Sequence, residues 1–542
     1  MTASRALLPP ADGGGLAALL DRLTGTAAAA PGMSAVEAAR FLAQASFGPT
    51  VADIQAVQMR GFAGWIQDQA AVRPSSHAAR YRLTSFGVPG RPELRQEAWW
   101  WTAVNGADQL RQRVAFALSE IFVVSDLGAG LSAQSGAVAS YYDLLVDGAF
   151  GSFRTLLQQV TLHPVMGSWL SLVNSRAADP TKGTHPDENY AREVMQLFTV
   201  GTVLLHADGT PVVRGGAPVP SYTQDQVAAT ARALTGWVQS TSNPWGVPMV
   251  AQAKHHDTGA KRIIGGHLIA AGGSAASDLT AVLDTLFAHP NTAPFISKLL
   301  IQRLVTSNPT PAYVARVSAV FADDGTGVRG NLGAVVAAIL LDDEARRGPQ
   351  LLGPAFGKVR EPILRVTHLW RAFDGVGDGG RLEFPYPEVA LGESPLRATS
   401  VFGFFSPTFA PSAFARRGLV APELQLADDA SLPTVDDFMI RAINRTTFVP
   451  TVINKVLGLA GGQPLTTGGE HNVSIDISQV SSMSKDVSAL VSALDLLFMG
   501  GGLDATFRTQ LEGYLGTVPA GDQRVIEALV VLLTSPQYLV QR

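Results

Sequence analysis

The 542-residue sequence contains no cysteine. This excludes disulfides, thiolate zinc sites, iron–sulfur clusters and a cysteine nucleophile. Charge is scarce: 16% of residues, against about 25% in an average soluble chain. Lys and Arg total 41 against 45 Asp and Glu, for a net charge of −4. The basic footprint of a nucleic-acid binder is therefore missing, as is a polybasic membrane patch. Long apolar runs are missing too. Val114–Val124 is interrupted by Ser119 and Glu120, and Leu332–Leu341 is shorter than the roughly 18 residues of a membrane span. Met1–Pro10 carries one Arg and no apolar signal core follows.

What is present is apolar and helix-patterned. Hydrophobic residues make up 46%, enough for a large core and incompatible with a disordered chain. The spacing predicts a mainly α protein, a large multi-helix body with small β-hairpins. Residues 1–33 read as a flexible leader with one short helix at Leu16–Leu23. Residues 34–542 read as a single helical domain, with a C-terminal helical subdomain from about 430 as an option. Ser34 and Glu37 form a capping-box signature. Helices are expected over Ala52–Gln69 (divided at Gly61), Pro92–Asn105, Asp108–Val124, Phe153–Thr161, Pro186–Val200, Gln224–Trp237, Leu332–Leu341, Lys358–Phe373 and Asp522–Leu533, among others. Ribbons are expected at Gly201–Val213 and His256–Gly266. Asp374–Leu391 and Gly461–Ile475 read as loops.

Standard catalytic signatures are absent: no H-E-x-x-H, no G-x-S-x-G, no Walker loop. Gly375–Gly380 spells G-x-G-x-x-G but follows a helix, the wrong context for a phosphate cradle. Asp323-Asp324-Gly325 lacks the ligand spacing of a calcium loop.

Three helices carry charge inside apolar sequence. On the first, Asn189, Arg192, Glu193 and Gln196 form a narrow polar stripe at i, i+3, i+4 and i+7, and Glu188 reaches Arg192 at i+4. On the second, Glu120 interrupts a core-like run two turns after Arg113. On the third, Glu361, Arg365 and His368 are spaced to share a face. Buried charges must be paired. Arg113, Glu120, Arg192, Glu193, Arg360 and Glu361 are therefore expected to converge, as a structural salt-bridge core or as a polar pocket. Glu188 and Glu193, in unlike environments, are the leading acid/base pair, with Arg192 and Glu120 beside them and His163 and His256 as supporting groups. Asn189 and Arg113 are candidate binding residues, and Trp99, Trp100 and Trp237 candidate sugar-stacking platforms. His256 and Asp257 are the best metal-like pair, although neighbours on a strand face opposite ways.

Several longer motifs resemble the bacterial domain of unknown function 1800 family (DUF1800) over roughly residues 34–542. They include Phe41-Leu42-x-Gln44-Ala45-Ser46-Phe47-Gly48-Pro49, Leu110–Val124, Pro186–Glu193, Ala231–Trp237, Gln302–Pro309, Gly357–Pro362, Val401–Pro407 and Ala421–Leu424. The resemblance brings no established reaction, cofactor or catalytic residue. It implies a protein often exported or periplasmic, encoded beside a sulfatase-like partner, a pairing that suggests envelope or polymer work. Three readings stand open. One is a hydrolase or lyase acting on a carbohydrate polymer through a carboxylate/Arg pocket. Another is a non-catalytic envelope or assembly protein with a structural Arg–Glu network. The third is a metal-dependent oxidoreductase at His256 and Asp257.

Overall fold

The computed structural model describes residues 33–428, 431–444 and 471–542. The short leader helix at Leu16–Leu23 and most of the Gly461–Ile475 loop lie outside these residues. The fold is mainly α with small two-stranded ribbons, as the spacing predicts. Among the described residues, no helix is long and apolar enough to cross a membrane.

Local sequence sets most helix boundaries. The Ser34–Glu37 capping box opens Ala35–Ala45. A second box, Thr50 with Asp53, opens Val51–Ala71, and Gly61 at φ 70° breaks that helix into two segments. Pro92 stands at the first position of Pro92–Asn105. Leu332–Leu341 has the predicted bounds. One continuous apolar core runs from Ala38 to Tyr538.

Trp99 and Trp100 are 2% and 0% exposed. They sit in this core, Trp99 against Phe47 and Phe116, Trp100 against Trp370 and Phe384. Trp237 is also buried, in a strand. None of the three is a sugar platform, because no face of their rings is open to a ligand. Their burial belongs to helix and ribbon packing.

Several expectations about elements need correction. The 108–124 segment is helical only over Gln109–Ser119; the chain then turns, and Arg303 captures the Glu120 carbonyl at 3.0 Å. The stripe helix spans Asn189–Gln196, so Pro186 and Asp187 precede it. Gln224–Ala233 ends early, and Trp237–Val238 pairs instead with Val250–Ala251. Lys358–Val359 is a strand, paired with Val540–Gln541 at the far end of the chain; its helix begins at Pro362, which fits a proline's preference for the first helical position. The ribbons are displaced from the expected ranges: the pairing around Asp208-Gly209 is an isolated bridge between Leu205 and Pro211, the two-stranded ribbon follows as Val213–Arg214 with Ala217–Pro218, and the second pairs Lys261–Arg262 with Leu268–Ile269, past Gly266.

Candidate active site

The stripe helix leaves Asn189, Arg192 and Gln196 at least partly exposed and turns Glu193 inward. Glu188 and Arg192 pair at 3.0 Å, each more than a third exposed, and Gln224 completes the cluster, donating to Glu188 at 2.7 Å. Asn189 is exposed. Glu193 is buried, and burial raises its pKa against the pull of Arg192. Among the described residues, no hydrogen bond or ion pair links this helix to Glu120. Arg192 and Glu193 are therefore not part of a common cluster with Arg113 and Glu361.

His163 caps the Pro164–Trp169 helix and is pushed down to a pKa of about 3 by burial. His256 and Asp257 diverge, as adjacent residues on extended backbone must. Both imidazole nitrogens are engaged, by the Thr235 carbonyl at 2.9 Å and Asp278 at 3.2 Å. Asp257 holds Arg232 through both oxygens, at 2.7 and 3.0 Å. The two side chains therefore have separate partners and do not share a site. Among the described residues, no group of three or more His, Asp or Glu side chains is arranged to hold a metal.

The remaining half of the predicted cluster does converge, with partners that helix spacing did not reveal. Arg113 and Glu120, two turns apart, bring the Gln109–Ser119 helix and its end to one point. The Thr292–Leu304 helix contributes Arg303, the strand Lys358, and the start of the Pro362–Ala372 helix Glu361. Lys358 is buried and completely paired. Its ammonium lies 3.0 Å from Glu361, 3.1 Å from Glu423, and donates to the Arg303 carbonyl at 2.8 Å. Arg113 donates to the same carbonyl at 2.7 Å. The Arg303 guanidinium stands 3.6 Å from the Glu120 carboxyl. Glu393 accepts the Ile363 amide at 2.6 Å.

The two central carboxyl groups have opposite characters. Burial, and then the charge of Glu361, raise the Glu120 pKa well above the carboxylate range. Burial works to raise Glu361 as well, but Lys358, Arg113 and a hydrogen bond with Glu120 outweigh it and the net shift is downward. Each group also has a buried oxygen, Oε2, that makes no hydrogen bond. The two shifts together favour a single proton on the pair, kept by Glu120 rather than by Glu361. This is the proton-sharing logic of two carboxyls too close to ionise together. Glu120 is also the polar floor of a cleft walled by Phe116, Val123, Val124, Leu396 and Phe404, with room for a water molecule.

The Leu396 wall is held under strain. Leu396 has φ 58°, unfavourable for a branched side chain. Arg95 fixes the preceding carbonyl at 3.0 Å, Gln96 holds Ser394 at 2.7 Å, and the Asp126 amide donates to Leu396 at 3.0 Å. Asp126 in turn pairs with two buried guanidiniums, Arg95 at 2.8 Å and Arg397 at 2.7 Å.

A family model described as "Protein of unknown function (DUF1800)" matches residues 40–540. The chain belongs to the DUF1800 family. No curated protein and no solved structure matches it. Set on the DUF1800 motifs, the converging groups other than Glu393 come from four separate stretches. Arg113 and Glu120 lie in Leu110–Val124, Arg303 in Gln302–Pro309, Lys358 and Glu361 in Gly357–Pro362, and Glu423 in Ala421–Leu424. Lys358, Glu393 and Glu423 were missed by helical spacing because none of them sits on a long helix. The signal that could have found them is a charged residue beside Pro or Gly within an apolar motif.

Glu120→Gln gives a test of the shared proton that needs no substrate. In the wild type the unfolded chain releases this proton near the ordinary value of 4.5, while the folded chain keeps it to higher pH. Wild-type stability therefore falls as pH rises from about 4.5 to the raised value. Gln cannot ionise. The stability of Glu120→Gln relative to wild type should climb across that window by about 1.4 kcal/mol per unit of raised pKa. Urea unfolding at several pH values checks this; a difference that stays flat with pH means Glu120 is ionised in the fold.

Proposed function

We propose that this DUF1800 protein is a hydrolase or lyase acting on a carbohydrate polymer, with Glu120 as its proton donor. What supports the reading is that burial and the charge of Glu361 raise the Glu120 pKa while the Glu361 pKa is lowered, with Arg303 3.6 Å from Glu120 and Glu120 lining a water-sized cleft that would have to open to admit a sugar. This division of roles is what general acid chemistry near neutral pH requires. Glu120 and Glu361 take over the acid/base roles first read at Glu188 and Glu193. Glu361 acts on the Glu120 pKa directly, through its charge and a hydrogen bond. Within this reading Glu120 therefore protonates a leaving oxygen, and Glu361 sets its proton affinity rather than attacking the sugar. An exported location beside a sulfatase-like partner fits the same reading, as does a chain without cysteine.

The close pairing of the charges favours a second reading, a non-catalytic envelope or assembly protein whose network is structural. One experiment separates the two. Purified protein is screened for reducing-end or unsaturated-sugar release from neutral and uronate-containing polysaccharides, with Glu120→Gln in parallel. Turnover that falls about 10²–10⁴-fold in the variant supports the catalytic reading. No release from any polymer, or equal release by both proteins, leaves the structural reading.

A further inference from the structure

Arg360 was expected to join the buried acid cluster, but it points away from it. Lys358 and Glu361 face the Glu120 side, whereas the Arg360 side chain lies across the Tyr538 ring, with its guanidinium carbon 4.7 Å from the ring centroid. Its other contacts are neutral. Nη2 donates to the Phe498 carbonyl at 3.3 Å, and Nη1 lies 3.4 Å from His368 Nδ1. That imidazole supplies no negative charge. Its Nε2 faces the Leu497 carbonyl at 3.1 Å, and Nδ1 accepts from the Tyr538 hydroxyl at 3.2 Å. Among the described residues, Arg360 has no carboxylate within ion-pairing distance, and its buried Nε has no acceptor. Another cation, Arg365, acts on it as well and lowers its pKa further.

A guanidinium cannot shed its proton in a protein, and a buried charge without a counter-ion is costly. A small cavity adjoins it. It is lined by Arg360, Leu364, His368, the Ser46–Gly48 turn and Gln541. Gly48, at φ 124°, lets the turn lie against His368: a Cβ there would sit 2.6 Å from the ring. The space holds one water-sized species. A space this small favours a monatomic anion over phosphate, sulfate or an organic carboxylate, and the guanidinium disfavours cations.

We propose that this cavity binds a small monovalent anion of halide size, chloride in practice, as the counter-ion of Arg360. Bound there, it ties the Ser46–Gly48 turn to the segment that carries Lys358 and Glu361. The inference stands apart from the proposed activity, since nothing in it depends on Glu120.

The test is thermal unfolding at constant ionic strength in sodium chloride, sodium bromide, sodium sulfate or sodium gluconate. Chloride and bromide should raise the wild-type melting temperature saturably above gluconate, by about 1–2 °C, and the rise should vanish in Arg360→Gln. In bromide-soaked crystals of the wild type, an anomalous peak is expected beside Arg360. That measurement decides the matter if Arg360→Gln does not fold. Equal melting temperatures in chloride and gluconate overturn the proposal. So does an equal effect of sulfate, which is a general salt effect, or a bromide map without a peak at Arg360.

Discussion

Lys358→Met is expected to destabilise the protein by about 3–5 kcal/mol at neutral pH, the cost of leaving buried charge without its partner. The ammonium is wholly buried and neutralises two carboxylates at once, Glu361 at 3.0 Å and Glu423 at 3.1 Å. Methionine fills a similar volume, so packing loss is a minor part of the effect. The deficit should shrink as pH falls, because the stranded carboxyls gain protons in the folded state at a higher pH than in the unfolded one. Adding Glu361→Gln should recover part of the loss, since one of the stranded charges is then gone. Urea unfolding of the single and double variants at pH 5 and pH 8 measures both. A loss below about 1 kcal/mol, of the size seen for exposed ion pairs, would mean that the cluster is wet.

Asp126→Asn is expected to cost a similar amount, again about 3–5 kcal/mol. Asp126 lies between two guanidiniums, Arg95 and Arg397, all three side chains less than a tenth exposed. Asn keeps the shape and removes the charge. Arg397 retains Glu388 at 2.8 Å, whereas Arg95 keeps only neutral acceptors. The effect should extend beyond global stability. Arg95 and Arg397 anchor the strained Leu396 segment that walls the cleft, so amide exchange around Leu396–Ala398 should accelerate more than exchange in the Leu332–Leu341 helix. Uniform acceleration across the molecule would separate Asp126 from the wall.

The helical architecture was legible because caps, prolines and apolar spacing act over a few residues. Ser34, Thr50, Pro92, Thr223 and Asn331 each mark a helix start through a local hydrogen bond or a fixed φ. The candidate site was half legible. Arg113 and Glu120 could be read because both charges interrupt an apolar stretch at two-turn spacing. Helical spacing places Glu361 on a face it does not occupy, because the chain at Lys358 is extended and the helix begins only at Pro362. That strand exists through pairing with Val540–Gln541, a contact between residues about 180 positions apart, and no local spacing encodes it. Glu393 and Glu423 depend on the same long-range assembly. The tryptophans misled for a different reason: an aromatic run suits a binding platform or a core equally well, and only burial distinguishes them.

The Lys358–Val359 ribbon also has a consequence during synthesis. On the ribosome, residues 358 to 361 emerge long before residues 540 and 541 exist. A nascent chain therefore already has Arg113, Glu120, Arg303 and Lys358, but lacks the strand that fixes the last of these in place. Until that strand arrives, Lys358 and Arg360 sit on an unpaired edge, the kind of segment that pairs with the wrong neighbour and aggregates. Closure over so long a span is slow. Truncation within the last few residues should therefore yield a protein that is helical by circular dichroism yet recovered mainly in the insoluble fraction, while removal of a distant surface turn such as Val213–Pro218 should leave yield unchanged.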